Sequence, residues 1–234
     1  MADDKYLPPE SDKGDAAYAT GRALLSAIPV AGGAAVELFQ FIITPPLEKR
    51  RNEWMKEIGQ AVQNLEENKG IDVEQLKSND VFIDTLLQAS QIALRNSQQD
   101  KLTALKNAVI NSALPQPIEQ TLQQMFLDWI DTFTVWHIRI LNLVHNPPQW
   151  AIDNNKPLPQ NIMSGGLTII LEHAFPELAK DSALYHQIWR DLHQRGLINT
   201  SSDGLNTMMT WNGIIARRTT DLGQKFLVFI SEQK

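Results

Sequence analysis

Residues 23–43 read ALLSAIPVAGGAAVELFQFII, 21 residues in which Glu37 is the only formal charge. A run of that length and polarity must cross a bilayer, sit in a core or serve as a contact surface, and no other segment narrows the fold as much. Pro29, Gly32-Gly33, Ser26, Gln40 and Glu37 interrupt it, which predicts a hairpin of two short buried helices rather than one span. Arg22 precedes the run and Lys49, Arg50 and Arg51 follow Pro45-Pro46. Positive charge at both ends suits approach to a membrane as well as solubility. The candidates for membrane or partner contact are Ile28, Val36, Leu38, Phe39, Phe41 and Ile42, joined by two loop tryptophans, Trp150 and Trp211.

The residues before this run carry a different message. Residues 1–18 hold four Asp, one Glu and Pro8-Pro9 with few apolar side chains, which predicts a mobile acidic tail and does not match a secretory signal. At 234 residues with 43% hydrophobic and 21% charged side chains, the chain has enough apolar material for one sizeable core or two small ones. It has no cysteine, so disulfides, thiolate metal sites and cysteine nucleophiles are excluded, and a reducing, cytoplasmic setting is expected. The formal charge of −6 argues against a surface built throughout for nucleic acid.

Helical periodicity dominates the next hundred residues. Trp54, Ile58, Val62 and Leu65 form an amphipathic stripe within 47–67. Asp80 can cap a helix with the stripe Ile83, Leu86, Leu87, Ser90 and Leu94, and Leu102, Leu105, Ala108 and Val109 mark another, stopped by Pro115 and Pro117. A longer seam from Ile118 to Val144 is broken near Thr134, predicting helices over 118–131 and 134–145. Trp54, Trp129, Trp136 and Trp189 fall on stripes and are expected in the core. The stretch NPPQWAIDNNKPLPQN, with four Pro and four Asn, reads as a linker, or an ordered loop pinned by Trp150, and marks a boundary over 146–163. The expected organisation is therefore a tail over 1–18, a helical domain over 19–145, the linker, and a C-terminal module over 164–234.

In that module, helices are expected over 167–174, from Ser182 to a glycine stop at Gly196, and over 220–231, with short strands at Leu197-Ile198 and 214–218. Helix, helix, strand, loop, strand, helix is the order of a winged helix. The run IWRDLHQRGLI followed by RRTTDLGQKFLVFI resembles the winged-helix pattern of many bacterial regulators, with Leu192, Gly196, Leu197, Ile198, Thr220, Gly223, Phe226 and Leu227 at the matching places. More broadly, an apolar proline-containing front, a helical middle and a C-terminal T-x-L-G-x-x-F helix resemble the Abi-alpha group of bacterial abortive-infection proteins. That resemblance implies a phage-defence component. The fold class expected is mainly α, with a multi-helix N-terminal region and a small winged-helix-like α+β module.

In the winged-helix family the helix carrying Gln187, Arg190 and Gln194 would enter a DNA groove, with Arg217 and Arg218 of the wing on the backbone. Residues 164–234 hold seven Lys+Arg against seven Asp+Glu, however, so charge does not favour DNA. The five histidines lack metal-ligand spacing, and Gly32-Gly33 and Ser164-Gly165-Gly166 belong to no phosphate loop or nucleophile elbow. No catalytic residue, metal or cofactor is expected. The function expected is non-enzymatic: a protein partner or self-association, with conditional membrane contact as a branch and a DNA-binding regulator as the alternative.

Overall fold

The computed structural model describes residues 33–200 and 204–232, with side chains from residue 46 onward. The expected acidic tail, the first half of the expected hairpin and Ile28 lie outside the described residues. The chain is mainly helical and divides into two compact units, one ending at Pro117 and one beginning at Ile118.

The first unit is built on α1, Gly33–Lys69, whose 37 residues make about 55 Å of helix. The expected turn of the hairpin lies outside the described residues, but its second helix is not short: residues 33–43 continue without a break through Pro45-Pro46 into the stripe of Trp54, Ile58 and Leu65. Proline fixes φ near −65°, a helical value, so the pair removes two hydrogen bonds from the ladder while leaving the chain direction helical. A short turn, α2 (Val73–Leu76), leads to α3 (Asp80–Arg95), followed by α4 (Gln99–Ser112). Trp54 Nε1 donates to Ser90 Oγ at 2.8 Å and Arg50 Nη1 to the Leu94 carbonyl at 3.5 Å, so α3 runs antiparallel to α1 and its C-terminal end lies level with Arg50. Residues 33–49 of α1 therefore continue about 25 Å beyond that level.

On α3 the buried face is Phe82, Thr85, Ala89, Ile92 and Ala93, one position away from the expected stripe, and Leu87 is 58% exposed. Small residues explain the rotation. Ala89 and Ala93 on α3, with Ala104 and Ala108 on α4, are all buried and let the two backbones approach closely, which a leucine-lined face would prevent.

The second unit holds α5 (Gln120–Thr132), α6 (Val135–His145), α7 (Pro147–Asp153), α8 (Thr168–Ala174), α9 (Pro176–Ala179), α10 (Ser182–Gln194), α11 (Trp211–Ile214) and α12 (Asp221–Ile230). Strands β1 (Ser164–Gly165) and β2 (Met209–Thr210) pair antiparallel, with Ser164 opposite Thr210. Two expectations need correction. The proline-rich stretch opens with a regular helix, because Asn146 caps α7 by accepting from Gln149 N and Pro147 occupies the first turn, where no amide is required. The unit boundary falls instead after Pro117. The expected strand over 214–218 is also absent: Ile214 ends α11, and pairing between the flanks of the loop reduces to the single bridge Ile198↔Thr219.

The core of this unit is aromatic. Phe126 and Trp129 of α5 meet Phe226 of α12 at ring separations of 5.3 and 5.9 Å, and Phe229 closes on Phe126 at 5.7 Å. Trp189 is fully buried, as expected, whereas Trp136 is only half-buried, its ring edge against Phe175 at 5.5 Å and Arg139 over its face. The motif residues have plain structural work. Gly196 takes φ +70° and, with Leu197 N bonded to the Leu192 carbonyl and Gly196 N to that of His193, ends α10 in a Schellman turn. Thr220 Oγ1 accepts from Gly223 N to cap α12 and donates to the Gly196 carbonyl. A side chain at Gly223 would collide with the Leu197 carbonyl, so glycine there is a condition of α12 docking.

Candidate functional site

The residues expected to touch DNA are dispersed in role. On α10, Arg190 and Gln194 are exposed, Arg190 Nε reaching only the His186 carbonyl of its own helix at 3.4 Å. Gln187 is turned along the helix onto Asp191, donating to Oδ1 at 2.7 Å. The two wing arginines bond within the protein, Arg217 while remaining exposed and Arg218 half-buried. Arg217 donates to Thr219 Oγ1 at 2.9 Å and to Gln224 Oε1 at 2.7 Å, and Arg218 donates to the Gly213 carbonyl and to Met209 Sδ. Both guanidinium groups thus hold the loop onto α12 and α11, a use that sequence spacing does not reveal.

The contact candidates divide similarly. Val36, Leu38, Phe39, Phe41 and Ile42 have helical backbone on α1, and their side chains lie outside the described residues. Trp150 is half-buried with its ring edge against Phe175 at 5.5 Å, so it is a peg that secures α7 more than an open contact. Trp211 is half-buried at the start of α11. Beside it the β1–β2 pair carries Met163 and Met208 at 89% and 73% exposure, two apolar side chains that the sequence reading did not single out.

A second arrangement missed by the sequence reading joins α6 to α10. His137 is buried, stacked on Phe133 with ring centroids 4.6 Å apart. Its Nδ1 accepts from Thr134 N at 3.1 Å, which leaves the proton on Nε2, 3.4 Å from Asp191 Oδ2. Burial holds the imidazole below its ordinary pKa, and Asp191 only partly opposes this. The contact is accordingly a long hydrogen bond from a neutral ring. Arg195 lies over Phe133 at 4.9 Å and donates to Thr132 Oγ1. His145 is likewise held below its ordinary value, first by burial and then by Arg217.

In the first unit a cleft of about 390 Å³ opens at the Arg50 end of α1. Arg50, Glu53, Trp54 and Glu57 line it from α1, and Asn96 and Gln99 from the junction of α3 and α4. It brings together residues nearly fifty positions apart in sequence, so no local motif announces it. Among the described residues no cluster of His, Cys, Asp or Glu is arranged to hold a metal ion, and no helix is long and apolar enough to cross a membrane.

Comparison with protein-family models, curated proteins and solved structures finds no match.

Proposed function

We propose that this protein is a non-enzymatic interaction protein that acts by contact with another protein, in keeping with its resemblance to the Abi-alpha group of phage-defence components. The observation that carries the reading is the length of α1. α3 runs antiparallel to α1, is 16 residues long and ends level with Arg50, yet α1 continues past that level with the sequence GAAVELFQFIITPP. An extended apolar helix is the form that recognition through helix faces requires.

The winged-helix reading of the second unit is supported by the order of α10, the Ile198↔Thr219 bridge and α12. Its part in this proposal is that of a scaffold. Engagement of Arg217 and Arg218 within the protein and the even charge of residues 164–234 weigh against groove reading.

The test is a phage challenge of bacterial cells expressing the full chain or Leu38→Glu/Ile42→Glu, with a photocrosslinking residue at Phe39 and, as control, at Gln224 on α12. The expected result is protection that the double variant loses, together with a protein adduct from position 39 and none from position 224. Protection that survives the double variant, or adducts equal at both positions, refutes the proposal. Gel-shift binding of DNA that falls steeply with salt and is lost in Arg190→Ala would replace it with the regulator.

A further inference from the structure

We propose that the cleft at the Arg50 end of α1 binds a small zwitterion, a molecule with a carboxylate and an ammonium group several bonds apart. Its volume of about 390 Å³ falls in the range of sites for small molecules. The cleft holds opposite charges that do not neutralise one another. Arg50 is half-buried, and its one hydrogen bond among the described residues is the 3.5 Å contact with the Leu94 carbonyl. Glu57 is half-buried and makes no hydrogen bond or ion pair among the described residues. Glu53 pairs at 3.8 Å with Lys49 on the exposed side of the helix.

Arg50 and Glu57 sit seven residues apart on one face, two turns or about 10 Å, beyond the reach of a side-chain pair one turn apart. Each polarity of ligand can then be weighed. A dianion such as phosphate would meet Glu53 and Glu57, and a simple amine would meet Arg50. A zwitterion places its carboxylate on the guanidinium and its ammonium on Glu57, and answers both. Trp54 lies between the two on the same face. Its indole N–H is committed to Ser90 Oγ at 2.8 Å and the side chain is 4% exposed, so what it offers the cleft is a small apolar area between the two charges, level with the methylenes that separate the ligand's charges. This inference is independent of the partner-contact reading, since it uses only residues from Arg50 onward.

Calorimetric titration of the full chain with 6-aminohexanoate, hexanoate and hexylamine tests it. Saturable binding of the zwitterion is expected, with each singly charged analogue weaker by about tenfold or more, and with Arg50→Gln and Glu57→Gln each weakening the zwitterion by about tenfold. Arg217→Gln, remote from the cleft, should bind as the wild type does. The indole N–H resonance of Trp54, assigned by its loss in Trp54→Phe, should move on adding the zwitterion, which reads the site even if a charge variant folds poorly. Absence of saturable binding, equal binding of the three probes, or an unmoved Trp54 resonance overturns the proposal.

Discussion

Protonating His137 would place a charge on a ring that is 5% exposed and stacked on Phe133. Folding therefore favours the neutral form, and the direction of the pH dependence follows. Above the ordinary value of 6.5 the ring is neutral in folded and unfolded chains alike. Below it the unfolded chain takes the proton first, so stability falls with pH until the depressed folded value is passed. His145 adds to the loss in the same sense. Denaturant midpoints should fall between about pH 7.5 and about pH 5, and fall less in His137→Gln. A wild-type midpoint that rises on acidification, or a variant with an unchanged slope, would contradict the assignment.

At the scale of elements, the proline pair inside α1 is the feature with the clearest energetic consequence. Each proline in a helix interior removes a hydrogen bond and crowds the preceding turn, at a cost of about 3 kcal/mol or more. Pro45→Ala/Pro46→Ala should restore the bonds to the carbonyls of Phe41 and Ile42. Exchange of the backbone amides over 47–50 should then slow by roughly tenfold, whereas unchanged exchange would mean that the helix does not run through this point. The same residues show why the helix was hard to foresee: proline is a sound stop signal locally, and only the continuity of the backbone on both sides reveals that it is overridden.

Elsewhere, local rules served well where one residue decided the outcome. The start of the last helix at Thr220 was legible, and α4, α5 and α6 lie close to their expected bounds. Asn79 caps α3 in place of the expected Asp80, and Asp181 caps α10 one residue before its expected start at Ser182, because two adjacent residues could each accept the first free amides and sequence does not choose between them. The site residues were less legible, since what Arg217 and Arg218 touch, and what Arg50 shares a cleft with, depends on chain segments brought together from a distance.

For the whole molecule, the boundary at Pro117 separates two sets of buried side chains that each make sense alone. The rings of Phe126, Trp129, Phe226 and Phe229 all lie beyond it. A fragment of residues 118–234 should fold by itself in one cooperative transition, and Phe226→Ala should destabilise it by about 3–5 kcal/mol. A fragment cut at residue 146 instead should fail, because it loses α5 and α6. Stable folding of 146–234 alone would show that the proline-rich stretch is the true divide.

The first unit has a mechanical consequence. Angle becomes distance along a rod, and α1 is joined to α3 at the level of Arg50 and Trp54 while about 25 Å of its axis lies N-terminal to that level. A tilt of about 10° at that level would sweep the far end through about 4 Å, so a modest event at the foot of the lever would register amplified at its tip.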